Sequence, residues 1–342
     1  MIHAFSSLYS AAATFRRDWF TRHPSRRRRL ARPVISIGNL RVGGTGKTPA
    51  VAHIAALLVA AGERPAILTR GYGRRYNTSG VTVVSDGHTL LEGVDRAGDE
   101  PLMLARRVPG ARVLVGADRF LSGRHAEREL DATVHVLDDG FQHFAVERDV
   151  DLLLTSEEDL DDRPLPEGRL REPLSAARAA DAALVTAGYQ AASERVARTL
   201  GIARAFTVTR ALGSPRTVAG ESVVVPPQAR VFVAAGIARP ERFFADVEST
   251  GWQVVGTLAF RDHHRFTPRD IDRIRREARA TAAAIVLTTE KDAVRLESCA
   301  LGDLPIAWVP LLFGVEPADP FRAWLLTRLR ISEQTPVGRQ ES

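Results

Sequence analysis

The sequence predicts an α/β protein with a parallel sheet in a larger domain and a second, smaller α/β domain. Three observations lead to this prediction. Short apolar runs alternate with helix-like stretches along most of the 342 residues, which is typical of parallel strands covered by helices on both faces. A stretch at 211–228, rich in Gly, Pro, Ser and Val, interrupts the alternation and predicts a linker. A stretch with helical periodicity precedes the first apolar run.

The composition is that of a soluble globular protein, with 44% hydrophobic and 26% charged residues. The single cysteine, Cys299, cannot form an intrachain disulfide, which fits a reducing cytoplasm. The net charge of +6 is concentrated in residues 1–41, which carry nine arginines and one acid, so the rest of the chain has a charge of −2. This distribution argues against a nucleic-acid-binding protein. No stretch reaches 18 consecutive apolar residues, so no transmembrane helix is expected.

Residues 1–30 predict an amphipathic helix followed by a basic arm. Apolar residues recur at spacings of three and four, which places on one helical face Met1, Phe5, Leu8, Ala12, Phe15 and Trp19. Arg22 and an arginine run at 26–29 follow. Two interpretations are open: a helix in a membrane interface with arginines on anionic headgroups, or a helix packed on the protein beside a solvated charge run. Arg16, Arg17 and Asp18 interrupt the apolar stretch and argue against a secretory signal.

The larger domain is predicted at 31–210 and the smaller one at 229–330, followed by a disordered polar tail at 331–342. In the larger domain we expect strands at 34–37, 66–69, 113–115, 134–137, 152–154 and 183–185, and helices at 49–61, 100–107 and 119–129. In the smaller domain we expect strands at 231–234, 254–258, 284–287 and 306–309, and helices at 241–247, 269–279 and 321–329.

A glycine-rich loop follows the first predicted strand, with the sequence Gly-Asn-Leu-Arg-Val-Gly-Gly-Thr-Gly-Lys-Thr-Pro at 38–49. In such a phosphate-binding loop, backbone N–H groups converge on phosphate oxygens and the next helix adds its dipole. Lys47, one of only two lysines among 47 basic residues, would bridge the β- and γ-phosphates of a nucleotide, and the Thr48 hydroxyl would bind Mg²⁺. Arg41 stands where the usual pattern has glycine. The predicted nucleotide-binding residues are Gly43, Gly44, Thr45, Gly46, Lys47 and Thr48.

A second candidate site follows the apolar run at 134–137, where the chain continues Asp-Asp-Gly-Phe-Gln-His. A carboxylate at the C-terminal end of a neighbouring parallel strand is where a P-loop enzyme holds Mg²⁺, directly or through water. Asp138 and Asp139 are therefore predicted at the metal. The alternative is that the two acids form a turn, which the Asp-Gly pair also favours. The nearby glycine-rich loop makes the metal site the preferred interpretation.

Seven motifs then occur in order along the chain: LTRGYGR at 68–74, GDEP at 98–101, GADR at 116–119, DDGFQH at 138–143, GRLREP at 168–173, FRDHH at 260–264 and TTEKDAV at 288–294. With the loop and the apolar, arginine-rich N-terminus, they make the chain closely similar to the tetraacyldisaccharide 4′-kinases, the lipid A 4′-kinase family. The resemblance implies transfer of phosphate from ATP to the 4′-hydroxyl of a tetraacyldisaccharide 1-phosphate, giving lipid IVA. It also implies membrane attachment through the N-terminal helix, at the cytoplasmic face of the inner membrane. We further expect a monomer.

The resemblance assigns a general base to an Asp–His pair, matched here by Asp99 and His263. An Asp that accepts a hydrogen bond from one ring nitrogen orients the imidazole and leaves the other nitrogen for the sugar hydroxyl. His264 is the alternative histidine. Counting Lys47 and the two acids of the metal site, the residues expected to take part in catalysis are Asp99, His263, Lys47, Asp138, Asp139, Arg119 and Arg171.

Other motif residues are expected around the same site. Arginines can clamp phosphates with two parallel hydrogen bonds, although a purely structural ion pair is an equally open interpretation for each. Lys291 either neutralises phosphate charge or pairs with Glu290. Gln142 and Glu100 are expected near the metal, with His143 close by. The residues expected to bind substrate are Arg70, Tyr72, Glu172 and Lys291.

Two other classes of function compete with the kinase. A P-loop ATPase or GTPase that acts as a switch or assembly factor at the membrane would use the same loop, but it has no need of Asp99 and His263. A nonenzymatic, basic membrane-binding protein is disfavoured by the residues of the phosphate loop.

Overall fold

The computed structural model describes residues 2–44, 46–71, 74–76, 80–303 and 305–330. Its helices are α1 (Ile2–Arg22), α2 (Lys47–Ala60), α3 (Val94–Ala97), α4 (Asp99–Arg107), α5 (Arg119–Glu129), α6 (Gln190–Leu200), α7 (Pro240–Glu248), α8 (Pro268–Ala280), α9 (Glu290–Leu296) and α10 (Ala318–Leu329). Its strands are β1 (Val34–Gly38), β2 (Pro65–Thr69), β3 (Thr82–Asp86), β4 (Arg112–Val115), β5 (Val134–Asp138), β6 (Val150–Ser156), β7 (Ala182–Thr186), β8 (Ala205–Leu212), β9 (Arg216–Thr217), β10 (Arg230–Ala235), β11 (Gln253–Ala259), β12 (Ile285–Thr289), β13 (Ile306–Val309) and β14 (Leu311–Glu316).

The larger sheet has the strand order β14-β8-β7-β6-β1-β5-β2-β4-β3. From β8 to β4 all neighbours are parallel, and the edge strands β14 and β3 are antiparallel. Every residue of β1, β2 and β5 is buried, because helices cover both faces of these apolar strands. The predicted parallel α/β architecture is confirmed, and the carboxyl ends of β1, β5 and β2 meet at one edge of the sheet.

The smaller sheet has the strand order β11-β10-β12-β13-β9, with β9 as its antiparallel edge strand. On one face α8 buries Ile271 and Ile274, one helical turn apart, against the strands. Thr267 caps this helix, since its hydroxyl accepts a hydrogen bond from the backbone of Asp270. On the other face α7 buries Phe243. The smaller sheet is therefore also covered by helices on both faces.

The end of the chain differs from the predicted division into domains. Residues 311–329 were assigned to the smaller domain at 229–330, but β14 pairs with β8 and α10 packs on the larger sheet. The physical reason is burial: Val315 on β14 and Phe321 on α10 join the main apolar core of the larger domain. The predicted linker at 211–228 contains β9, which belongs to the smaller sheet. Two adjacent chain segments therefore connect the sheets, joined where Gly213 N–H donates to Pro310 C=O at 2.8 Å.

Helix α1 is confirmed as a helix, and one side of it packs on the larger domain. Arg17 donates two hydrogen bonds to Glu172, at 2.6 and 2.8 Å, and its guanidinium lies over the Phe141 ring. The opposite side is solvent-exposed, with exposed fractions of 58% for Phe5, 69% for Leu8 and 70% for Phe15. Within the described part of the chain, no helix is long and apolar enough to cross a membrane. The expected tail at 331–342 lies outside the described residues.

Candidate active site

The phosphate loop joins β1 to α2 at the carboxyl edge of the larger sheet. Gly46 lies immediately before α2 with φ 83°, a left-handed conformation that side chains other than glycine rarely adopt. A Cβ at Gly46 would meet no atom within 4 Å, so this part of the loop backbone faces open space. The unpaired N–H groups at the start of α2 and the positive end of its dipole lie beside the loop. This geometry suits a phosphate group.

Lys47 is held at the loop by two oxygen partners. Its Nζ donates to Asn39 Oδ1 at 3.1 Å and lies 3.6 Å from Asp139 Oδ1. Arg171 donates to both oxygens of Asp139, at 2.8 and 2.7 Å, and also contacts Asn39. Burial alone would raise the pKa of Asp139, but the hydrogen bond from Arg171 and the charge of Lys47 outweigh it and lower that pKa to about 2. Asp139 is therefore a stable carboxylate that orients two cations.

Asp138, the adjacent residue, has the opposite electrostatic environment. It ends β5 and is buried, with the Thr69 hydroxyl donating to its Oδ2 at 3.0 Å. Burial, followed by the negative charges of Glu100 and Asp139, raises the pKa of Asp138 to about 6. A strongly perturbed carboxyl group in a cleft is a mark of a functional site.

Arg41 turns away from the phosphate loop. Its side chain is buried, donates to Asp159 Oδ1 at 2.8 Å and lies 3.3 Å from Asp162 Oδ2. Arg41, which stands in place of the usual glycine, therefore anchors the segment after β6. The conformation of the loop tip depends on the loop glycines.

A second group of side chains lies across the cleft. Asp99 is the buried first residue of α4 in the larger domain, and His263 lies in the loop between β11 and α8 of the smaller domain. His263 Nδ1 is 3.2 Å from Asp99 Oδ2. His264 instead places Nε2 3.1 Å from Asp270 Oδ2 and stacks on Phe260, with ring centroids 4.7 Å apart. Of the two histidines, it is His263 that contacts Asp99.

Lys291, the other lysine, connects the two domains at this group. Its Nζ donates to Glu100 Oε1 at 3.0 Å and to Asp262 Oδ1 at 3.4 Å, and it lies 3.3 Å from His263 Nε2. The alternative in which Lys291 pairs with Glu290 is wrong, because Glu290 pairs with Arg107 at 3.2 Å. Lys291 thus places its charge beside the Asp–His pair.

One cavity of about 370 Å³ between the domains joins the phosphate loop to the Asp–His group. Arg70 and Arg119 line this cavity, and Arg119 also donates to Gly116 C=O at 2.8 Å. Burial, followed by the charges of Arg119 and Arg70, lowers the pKa of His143 to about 4. The lining includes side chains from both domains, among them Lys47, Asp138, Glu100, His263 and Lys291. Five of the seven predicted catalytic residues therefore line one cavity, with His263 on the wall opposite Lys47, Asp138, Asp139 and Arg119. The other two, Asp99 and Arg171, contact His263 and Asp139.

Two predicted residues have other partners. Glu172 was expected to bind substrate, but its side chain is buried and accepts hydrogen bonds from Arg17 of α1 and from Gln142. Gln142, expected at the metal, also donates to Asn39 C=O at 3.1 Å. In this geometry the pair joins α1 to the phosphate loop. Thr45 and Tyr72 lie outside the described residues.

Sequence reasoning missed Arg295, a buried residue of α9 that donates a hydrogen bond to Asp99. The available signal was helical spacing, since Arg295 follows Lys291 by four residues and both side chains project from one face of α9. It also missed Asn39, whose side-chain oxygen holds Lys47.

A phosphate loop beside the acids at the end of β5 is suited to a nucleoside triphosphate, and an Asp–His pair opposite has the chemistry of a base for an acceptor hydroxyl. The fold and the site together define a P-loop phosphotransferase. Comparison with known proteins narrows this class. The profile of the tetraacyldisaccharide-1-P 4′-kinase family matches residues 1–330. The chain belongs to this family, and it is a kinase.

Individual relatives agree along most of the chain. The tetraacyldisaccharide 4′-kinase of Desulfotalea psychrophila is 39% identical, over 88% of this chain and 88% of its own. That of Anaeromyxobacter dehalogenans is 41% identical, over 86% of this chain and 81% of its own. A crystal structure of LpxK from Aquifex aeolicus in complex with ATP is 30% identical and aligns with a TM-score of 0.77, over 96% of this chain and 98% of that one. The chain therefore shares its fold with a family member that binds ATP.

Proposed function

We propose that this chain transfers the γ-phosphate of ATP to the 4′-hydroxyl of a tetraacyldisaccharide 1-phosphate. The observation that carries the proposal is that His263, which lines the same cavity as the phosphate loop, contacts the buried Asp99. A nucleotide switch needs the loop alone, whereas transfer to an alcohol also needs a base for the proton. The family's substrate is such an alcohol.

The phosphate loop and Lys47 bind the triphosphate. Because Asn39 and Asp139 fix the Lys47 ammonium, its charge is already in place when the phosphates arrive. Catalysis of phosphoryl transfer depends mainly on such positioning and on stabilisation of the charge that spreads over the transferred group. Arg119, which lines the cavity, is proposed to add a second positive charge at the phosphates.

The oxygen donors of the cavity fit Mg²⁺, which prefers carboxylate, hydroxyl, phosphate and water oxygens. Asp138 is buried beside Glu100 and Asp139, and a divalent cation would offset this crowding of negative charge. Among the described residues, no three His, Cys, Asp or Glu side chains form a preformed metal cluster. We propose that Asp138 and Thr48 hold the ion, while Asp139 keeps its bonds to Arg171 and Lys47. The ion would neutralise charge on the transferring phosphoryl group.

His263 is the proposed base. When Nδ1–H donates to Asp99, Nε2 carries the ring lone pair, which faces Lys291 Nζ at 3.3 Å. We propose that the 4′-hydroxyl takes the place of this ammonium contact and gives its proton to Nε2. The contact with Asp99 also fixes the orientation of the ring. The base comes from the smaller domain and the phosphate loop from the larger one, so closure of the cleft would complete the site and exclude water.

The exposed side of α1 is proposed to lie on the cytoplasmic face of the inner membrane. Phe5, Leu8 and Phe15 are exposed while Arg17 holds the opposite side to Glu172, so the apolar side is free to enter a lipid surface. Of the arginine run at 26–29, Arg28 and Arg29 pair with acids of the larger domain, whereas the exposed Arg26 adds positive charge beside the helix. We propose that the chain acts there as a monomer, because one chain provides both walls of the cavity.

The kinase assay incubates the purified chain with γ-labelled ATP, Mg²⁺ and a tetraacyldisaccharide 1-phosphate in detergent micelles. Label is expected in the lipid, and only when its 4′-hydroxyl is free. The matched control is the same lipid already phosphorylated at that position. Release of labelled phosphate at one rate with or without the lipid would instead indicate a nucleotide switch.

Membrane attachment is tested separately with the double variant Leu8→Glu/Phe15→Glu. Charges on the exposed apolar side should abolish sedimentation with vesicles of anionic phospholipid. Its matched control is Ser7→Glu/Thr14→Glu, which adds the same charge to the same helix at exposed polar positions. Equal losses in the two variants would mean that charge, and not the apolar side, governs binding.

A further inference from the structure

We propose that Arg295 is a positioning residue that holds Asp99 against His263 and thereby couples the base to the approach of the two domains. The proposal rests on the kinase function proposed above. Arg295 belongs to α9 of the smaller domain, Asp99 begins α4 of the larger one, and His263 lies in a loop of the smaller domain. The base therefore exists only where the two domains meet.

One amino group of Arg295 is held by contacts within the smaller domain, which leaves the other amino group for Asp99 of the larger domain. Its NH1 donates to Gly236 C=O at 3.1 Å and to Asp292 Oδ1 at 3.2 Å. Asp292 is fully buried, and its other oxygen accepts from Gly236 N–H at 2.9 Å and from the Thr289 hydroxyl at 2.7 Å. These bonds use both oxygens of Asp292, so the guanidinium is held in one orientation.

Gly236 allows this close packing. A Cβ at Gly236 would lie 3.0 Å from Asp292 Oδ1 and 3.2 Å from His264 Cβ, tighter than ordinary contacts. The absence of a side chain at the end of β10 thus lets α9 and the loop after β11 approach the same backbone. Arg295 and His263 are carried by these two segments, which fixes their relative positions.

The other amino group of Arg295 acts across the domain boundary. NH2 donates to Asp99 Oδ2, the same oxygen that lies 3.2 Å from His263 Nδ1, and NH2 is 3.3 Å from that nitrogen. The Arg295 side chain is only 7% exposed and that of Asp99 only 3%, so this charge-assisted bond is shielded from water. A carboxylate with one oxygen held by Arg295 cannot rotate that oxygen away from the imidazole.

A second ion pair between the same helices provides a contrast. Arg106 of α4 and Glu297, just beyond α9, also join the two domains, but both side chains are 35% exposed. Neither residue touches Asp99 or His263 in the described structure. If Arg295 only tethered the domains, loss of the Arg106 pair would have a similar effect.

The test compares Arg295→Met with Arg106→Met and with wild type in the lipid kinase assay. We expect Arg295→Met to lower kcat about 10²-fold, the cost of misplacing a reacting group by about 1 Å, and to change KM for ATP less than about twofold. Arg106→Met should keep kcat within about twofold of wild type. Wild-type kcat in Arg295→Met, or equal losses in the two variants, would overturn the positioning role. Failure of wild type itself to label the lipid would contradict the kinase function instead.

A double-mutant cycle separates positioning from a purely structural role. In a His263→Ala background, Arg295→Met should change residual kcat by less than about twofold, because a residue that acts through His263 has nothing left to position. A full additional loss in this background would overturn the proposal. If Arg295→Met fails to fold, Arg295→Lys decides the question, since an ammonium cannot reproduce the guanidinium fork. It should fold, lose about tenfold in kcat and lose nothing further with His263→Ala; unchanged kcat would overturn the proposal.

Discussion

The two walls of the cavity are built in different ways. On the phosphate side, Lys47, Asn39 and the loop glycines come from one stretch of 12 residues at 38–49, between a buried strand and a helix. On the opposite side, Asp99 from the larger domain meets His263 and Arg295 from two separate segments of the smaller one. The first wall is completed by local backbone geometry, whereas the second depends on how two domains approach each other. Nucleotide binding should therefore tolerate changes between the domains that transfer to the lipid does not.

The largest expected effect comes from the phosphate wall. Lys47→Ala should lower lipid phosphorylation by about 10³-fold, since an arginine at the transferring phosphoryl group contributes about 10³–10⁵ in P-loop GTPases. Arg171 contacts the same oxygens of Asn39 and Asp139, but it comes from the segment at 168–173, whereas Lys47 begins the helix that follows the phosphate loop. Single-turnover transfer of label measures the loss. If the variant retained a tenth of the wild-type rate, Lys47 would not be the main cation that stabilises the transferring phosphoryl group.

Asp99→Asn tests the opposite wall and should lower kcat by about 10²-fold, within the range for a general base. The amide keeps the shape of the side chain but replaces the carboxylate that contacts His263 Nδ1 and Arg295, so the imidazole loses the group that orients it. Binding of a fluorescent ATP analogue should stay within about threefold of wild type, because Asp99 belongs to the other wall. Parallel losses of nucleotide binding and transfer would erase the distinction between the walls.

The same difference explains what could be predicted from the sequence. Strands such as β1 and β5 and the phosphate loop are encoded by contiguous patterns, and all of them lie where the patterns predict. The contact between Asp99 and Arg295 joins residues 196 positions apart, and no local pattern gives such a distance. The pairing of β14 with β8 was missed for a related reason. The local sequence of β14 does not indicate which sheet the strand joins after the chain has passed through the smaller domain.

Glu172 shows a further limit of motif reasoning. Its motif predicts a substrate contact, but its hydrogen-bond partner Arg17 belongs to α1, near the other end of the chain. From the sequence alone, a carboxylate near a phosphate site is predicted to contact the substrate or a metal ion. Only the structure shows that an arginine from a distant helix is its partner. Arg41 is the reverse case, because its position within the loop motif suggests phosphate and its actual partners are Asp159 and Asp162.

Removal of the charge of Asp138 and of Asp139 should change the free energy of unfolding in opposite directions. In the metal-free protein, the raised pKa of Asp138, about 6, means that its contribution to stability is present below about 4 and is lost as pH rises through 6. Asp138→Asn should therefore stabilise the fold at pH 7.5 by on the order of 2 kcal/mol. The lowered pKa of Asp139, about 2, gives a contribution that is present above about 4 and lost as pH falls through 2.

Asp139→Asn should accordingly destabilise the fold at pH 7.5, by on the order of 2 kcal/mol, because Arg171 and Lys47 lose a carboxylate partner. Denaturant unfolding in EDTA measures both variants, and repeating it at pH 4.5 should reduce the gain for Asp138→Asn. Shifts of the same sign at pH 7.5 would mean that the two neighbours share one environment, contrary to their contacts.

The smallest effect is expected for Lys291→Arg, and the informative control is the same exchange at Lys47. Lys47 Nζ shares the oxygens of Asn39 and Asp139 with Arg171, so a wider guanidinium should compete with Arg171 for them and Lys47→Arg should lose about 10²-fold in kcat. Lys291 contacts the side chains of Glu100 and Asp262, which can adjust to a planar fork, so its exchange should cost only about threefold. Steady-state kcat for the two variants gives the comparison directly. Equal losses in the two variants would mean that the contacts between the domains hold the Lys291 ammonium as rigidly as the phosphate-loop wall holds that of Lys47.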